Sequence, residues 1–304
     1  MTPRPIPPPR EYGVTRTTDV ALYWCKYGPS GSPSLLVLHG GPGAHHDYLL
    51  PQMLELERAV GGRELLFYDQ RGGGKSKSHD RESITWETHV GDLAAVIGEF
   101  GLERPAVVGY SWGGLLALLY ASAAAGDATL PAPGILILID PAPISRHYRE
   151  QFEREFARRQ ASSEVIRLRE KLADAGLRET DLEAYRQRNF ELSVAGYFAD
   201  PRSAEDLTPF RVTARVQQSV WASLGDFDLV ADGRLASITV PTLIMHGRQD
   251  PIPLASSEAA ARIMGAELVV LDNCGHVPYV EQPAALFEAV ESFLERMTID
   301  RRPS

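Results

Sequence analysis

A chain of 304 residues, 44% hydrophobic and 23% charged, is long enough to bury a core without staples and too balanced in composition to be disordered or fibrous. Its net charge of −9, from 31 basic and 40 acidic residues, supplies no field that attracts nucleic acid, and no concentrated basic face overrides it. No stretch approaches the ~18 to 20 apolar residues of a membrane span. Cys25 and Cys274 stand too far apart in sequence to read as a disulfide framework or a zinc site.

Met1 to Arg10 is rich in proline and lacks the apolar centre of a secretory signal. It is expected to be a loose, extended arm. With two reduced thiols, the chain is expected to be cytoplasmic.

Val20 to Tyr27 reads as a strand. Short apolar runs follow at Leu35 to Leu38, Leu65 to Tyr68, Ala106 to Val108, Ile135 to Ile139, Thr242 to Met245 and Leu268 to Leu271. Runs this short, without alternation, suit strands buried on both faces of a parallel sheet. Glu87 to Phe100 carries apolar residues close to a 3.6 period and is predicted helical. Trp112 to Ala125 is apolar all round, which predicts a buried helix, and Ala284 to Phe293 is a closing helix. Strands alternating with helices predict an α/β architecture with a mostly parallel sheet.

From Ser145 to about Arg234 no buried-strand run occurs. Arg146 to Arg188 mixes both charge signs at a spacing that suits amphipathic helices with solvated outer faces. The expected division is a core of residues 1–140 and 237–304 with a helical cap, 141–236, inserted into it.

Chemistry enters at Gly109-Tyr110-Ser111-Trp112-Gly113, where a strand runs through Gly-x-Ser-x-Gly into a buried helix. That is the context of a nucleophile elbow, whose glycines leave room for a very sharp turn. Ser111 would then present its hydroxyl above the sheet at a helix N-terminus, where developing negative charge is favoured. A serine nucleophile needs a base. His276, on a loop after the last strand run, matches the chain order serine, acid, histidine. Asp250, just past a strand run, is the expected orienting carboxylate, with Asp140 as its competitor. The oxyanion donors are expected to be the N–H groups of Trp112 and Gly41, since Pro42 cannot donate.

Two decoys fail. Gly74-Lys75-Ser76 lacks the glycine that a phosphate loop needs five residues earlier, where Asp69 stands. His45-His46-Asp47 has no companions at metal spacing, so neither metal nor cofactor is expected.

His39-Gly40-Gly41-Pro42-Gly43, Asp69-Gln70-Arg71-Gly72-Gly73-Gly74-Lys75-Ser76 and Gly109-Tyr110-Ser111-Trp112-Gly113-Gly114 together resemble the proline iminopeptidase family of α/β-hydrolases. Gly275-His276 followed by Glu281-Gln282-Pro283 fits the same pattern. The resemblance implies the α/β-hydrolase fold with its inserted helical cap, and metal-free release of an N-terminal residue, often proline, from small peptides. It also implies acidic cap residues that hold the substrate's ammonium. Glu191, in Asn189-Phe190-Glu191, is the candidate anchor, while the second acidic position falls near Gln217, where a charge is missing. Asp140-Pro141-Ala142-Pro143 departs from the family pattern. A carboxylesterase or lactonase using the same residues is the alternative. Either way the expected partner is a small molecule or short peptide.

Overall fold

The computed structural model describes residues 5–79 and 83–299. Its strands are β1 (Glu11–Val14), β2 (Tyr23–Tyr27), β3 (Ser34–Leu38), β4 (Glu64–Tyr68), β5 (Ala106–Tyr110), β6 (Ile135–Ile139), β7 (Thr242–Gly247) and β8 (Glu267–Leu271). They form one sheet in the order β1-β2-β4-β3-β5-β6-β7-β8. β1 and β2 pair antiparallel, as do β2 and β4, and every later pairing is parallel.

All but the last of the apolar runs become central strands with both faces covered, whereas Leu268 to Leu271 falls in β8, an edge strand that buries fully only Leu271. β4 and β6 are buried at every position. Alternate side chains go to opposite sides: Leu36 and Leu38 join one core cluster, Leu35 and Val37 the other. Helices α1 (Trp86–Glu99) and α2 (Trp112–Gly126) cover the first side, and α10 (Pro283–Ile299) lies against the second. α1 starts at a capping box in which Thr85 and Thr88 exchange hydrogen bonds.

The N-terminal strand reading needs correction. Pairing begins at Tyr23 rather than Val20, because Val20 and Leu22 are buried in a turn closed by Thr15 N–H donating to Leu22 O. β1 is an exposed edge strand without an apolar pattern, so nothing in its composition announces it. The proline-rich arm lies partly outside the described residues. From residue 5 it is irregular, and Arg10 is tied to Glu64.

Between β6 and β7 the described chain contains α3 (Arg146–Gln160), α4 (Ser163–Asp174), α5 (Leu177–Thr180), α6 (Leu182–Val194) and α7 (Ala214–Leu224). α3 buries no residue and α4 only Val165, so their charges face water. α7 differs: Val216, Val220 and Leu224 join the core cluster of α1 and α2. The chain between β6 and β7 is thus seated on the sheet through α7 on one side and through Val194, Phe198, Ala204 and Leu207, which join the other core cluster. α8 (Leu254–Met264) follows β7, and α9 (Pro278–Glu281) precedes α10. No helix among the described residues is long and apolar enough to cross a membrane.

Candidate active site

β5 ends at Tyr110 and α2 begins at Trp112, so Ser111 makes the whole turn. It does so at φ 53 and ψ −119, a conformation that costs any residue with a Cβ. The turn closes only because side chains are missing around it. A Cβ on Gly109 would lie 2.4 Å from Gly113 O, and one on Gly113 would lie 2.3 Å from Leu38 O. Ser111 is left at the N-cap of α2, at the positive end of a 15-residue helix.

Ser111 Oγ lies 2.9 Å from His276 Nε2, and His276 Nδ1 lies 2.7 Å from Asp250 Oδ2. The carboxylate can only accept from Nδ1–H. Nε2 is therefore the lone-pair nitrogen, facing the hydroxyl proton. The imidazole is packed between the rings of Tyr197 and Tyr110, at 5.1 and 5.4 Å. This burial pushes His276 down to about 4 and keeps it neutral. Its loop is also laced in place. Tyr110 Oη–H donates to His276 O at 2.8 Å, and His276 N–H donates to Tyr197 O at 2.7 Å. Glu281 accepts the N–H groups of Gly275 and Ala199, both at 2.7 Å.

The structure separates the two candidate carboxylates. Asp250 meets His276, whereas Asp140 lies behind it and accepts Gly247 N–H at 2.7 Å. His246 completes a buried group with them, its nearest ring nitrogen and one oxygen of each acid lying within 4.8 Å of one another. The donor set does not suit a metal. His246 is hydrogen-bonded to Ser257 at 2.9 Å and to Ile252 O at 3.1 Å, and Asp250 is spent on His276.

The loop after β3 brings Gly41 to the cavity wall beside Ser111. Buried polar groups pin that loop. Gln70 N–H donates to His39 Nε2 at 3.0 Å, Gln70 Nε2–H donates to His39 O at 2.8 Å, and Trp112 Nε1–H donates to Gln70 Oε1 at 2.8 Å. One glutamine thereby ties the β3 loop to the helix that follows Ser111. His46 is held between Asp69 at 2.7 Å and Asp47 at 2.9 Å. These carboxylates outweigh its burial and raise it well above the usual histidine range. The segment from Asp69 to Ser76 is a turn closed by Gly72 N–H donating to Ser76 O at 2.7 Å. Cys25 and Cys274 are unpaired by disulfide and buried, and burial pushes the Cys274 thiol up, which leaves it inert.

Ser111 and His276 open into a cavity of about 250 Å³. Its walls include Tyr48, Tyr110, Tyr197, Phe210, Phe190 and Tyr279. Ligand sites of drug size usually run from about 300 Å³ upward, so this one suits a compact group. Sequence reasoning missed every one of these aromatic residues as site components, since they come from distant segments.

Glu191 requires a correction. It does not face the cavity but lines a separate cleft with Leu168, Arg188 and Glu205. Its carboxylate accepts from Arg188 at 2.7 Å and from Gln187 at 3.0 Å. A carboxylate so placed is no anchor for an ammonium beside Ser111. Glu191→Gln is expected to leave KM for a free-imino prolyl arylamide within about twofold of wild type. A rise confined to amine substrates, with esters spared, would restore Glu191 as the anchor. Gln217 does line the cavity, at its exposed rim.

Residues 35–289 match the Alpha/beta hydrolase family. The chain is 26% identical over 279 residues to the proline iminopeptidase of Lactobacillus delbrueckii subsp. bulgaricus, covering 86% of this chain and 89% of that protein. It is 26% identical over 310 residues to the proline iminopeptidase of Saccharolobus solfataricus, covering 94% and 93%. Among solved structures, the proline iminopeptidase of Mycobacterium smegmatis superposes with a TM-score of 0.69 at 20% identity, covering 96% of this chain and all of that one (100%).

Proposed function

This chain belongs to the alpha/beta hydrolase family and is a hydrolase resembling the proline iminopeptidases, and from that premise we propose that it acts by acyl transfer through Ser111, His276 and Asp250. The observation that carries this reading is the unbroken hydrogen-bonded path from Ser111 Oγ through His276 to Asp250 at the floor of an apolar cavity. Ser111 attacks the substrate carbonyl while His276 Nε2 takes its proton. Asp250 holds the ring in the required tautomer and stabilises the imidazolium. The N–H groups of Trp112 and Gly41 receive the oxyanion. His276 then protonates the leaving amine or alcohol. Water enters, gives its proton to His276, and cleaves the acyl-enzyme, which returns Ser111 to its hydroxyl form.

For the substrate, we infer an aminopeptidase of proline iminopeptidase type, releasing a compact N-terminal residue from small peptides. The relatives that bear this name support it, as does a cavity sized for one small apolar residue. Tyr48, Tyr197 and Phe210 line the cavity, and an aromatic wall can hold a cationic imino group without a carboxylate. One observation favours the second reading, a carboxylesterase or lactonase: among the described residues lining the cavity there is no acidic side chain.

The test is a paired rate assay with a proline arylamide, the same compound blocked at its nitrogen, and a short-chain aryl ester. Cleavage of the free amide alone supports the aminopeptidase. Ester turnover without amide turnover supports the esterase. Gln217→Glu adds a carboxylate at the rim and is expected to lower KM for the free amide about fivefold while sparing the ester. An equal effect on both substrates would exclude Gln217 from selecting the amine.

A further inference from the structure

Asp140 is a buried acid that the relay does not use. It ends β6 at φ 41, in the left-handed region that residues other than glycine rarely adopt. Its N–H donates to Met245 O at 2.8 Å, which fixes it to β7, and its Oδ1 accepts Gly247 N–H. Its Oδ2 is buried and has no hydrogen-bond partner. The side chains of Asp140 and Asp250 are both fully buried, and one carboxylate oxygen of each lies within 4.8 Å of the other.

Two buried carboxylates facing each other without a cation between them would be very costly. One proton removes the cost: it cancels a charge and turns the orphaned oxygen into a donor. Which acid carries it follows from the donors around each. Asp250 accepts from His276 and also from Ile252 N–H at 2.7 Å, whereas Asp140 accepts from Gly247 alone. The better-solvated carboxylate is the ionised one.

We propose that Asp140 is a protonated positioning residue, donating a hydrogen bond from Oδ2 to Asp250 and thereby holding that carboxylate against His276. The inference rests on the relay reading of Ser111, His276 and Asp250. The ionisation tendencies agree with it. Burial raises Asp140 well above the usual carboxylate range, and the charge of Asp250 raises it further. Burial also raises Asp250, to about 7, while hydrogen bonds from Asp140 and Ile252 oppose the rise. His246 lies 3.9 Å from both acids, but burial pushes it down to about 4, so it supplies no cation, and the other ionisable groups facing the pair are His276, Glu281 and Arg159, with Tyr110, Tyr197 and the Cys274 thiol. Arg159 is committed to the carbonyl of Gln249.

Asp140→Asn keeps a donor toward Asp250 and an acceptor for Gly247, whereas Asp140→Leu removes both with the same branching and greater bulk. The asparagine variant is expected to keep kcat within about threefold of wild type, and the leucine variant to lose about 30-fold with KM changed less than about twofold. Infrared difference spectra at neutral pH should show a protonated carboxylic acid band in wild type and in Ser111→Ala that Asp140→Asn lacks. The proposal is overturned by an asparagine variant as slow as the leucine one, by full activity with leucine, or by the absence of that band. If the leucine variant does not fold, the asparagine rate and the spectrum still decide. Full activity in Ser111→Ala would instead defeat the relay reading and leave the infrared result standing.

Discussion

Ser111→Ala is expected to lower kcat by at least about 10⁴-fold on whichever substrate the enzyme prefers, because no acyl-enzyme can form without Oγ. The fold should survive, since alanine keeps the Cβ that packs against the β3 loop and removes one oxygen facing a cavity. Covalent labelling by a fluorophosphonate should vanish in parallel with turnover. A companion variant separates chemistry from strain. The φ of 53 at this position suits glycine, so Ser111→Gly should be equally inactive yet about 1 kcal/mol more stable than Ser111→Ala. A Ser111→Ala enzyme within tenfold of wild type, with the label still attached, would mean that the nucleophile is another residue.

The elbow was legible because its requirement is local. Gly109 and Gly113 flank Ser111 closely enough that sequence spacing alone states the steric problem they solve. Five of the six apolar runs were legible because strands covered on both faces need no alternation; the sixth, Leu268 to Leu271, lies in an edge strand that is only partly buried. Asp250 was expected over Asp140 from its place in the chain alone, with no local requirement to settle the choice. Both follow strands, and only the distance to His276 separates them. Glu191 failed for a reason of helical phase. Phe190, Ser193, Val194 and Tyr197 line the cavity, a set spaced three, four and seven residues apart on one face. Glu191 is one residue, roughly 100°, off that face and turns to Gln187 and Arg188 instead. A resemblance can locate a helix, but a single-residue error in phase moves a carboxylate from one cleft to another. The aromatic walls of the cavity were unreadable because they converge only after the insertion folds over the core.

The same geometry makes Gly113→Ala the most informative substitution outside the relay. Helix propensity alone favours alanine over glycine by about 1 kcal/mol. The contacts point the other way. A Cβ at position 113 would lie 2.3 Å from Leu38 O, 2.7 Å from Leu38 C and 2.8 Å from His39 O. All three atoms are backbone, and ordinary carbon contacts need about 3.5 Å. No side chain can swing aside, so α2 and the end of β3 must part by about 1 Å, at a typical overpacking cost of about 1–3 kcal/mol. That displacement separates Gly41, which follows β3, from Trp112, which opens α2. These are the two proposed oxyanion donors, and a misplacement of this size costs about 100-fold in kcat. Gly91→Ala is the control, since Gly91 is exposed in α1 with nothing near its would-be Cβ. It should gain stability and keep its rate. Gly113→Ala should show a lower melting temperature and a lower kcat together. If it instead gained stability like the control and turned over at the wild-type rate, the close seating of the elbow helix on β3 would not be what aligns the oxyanion donors.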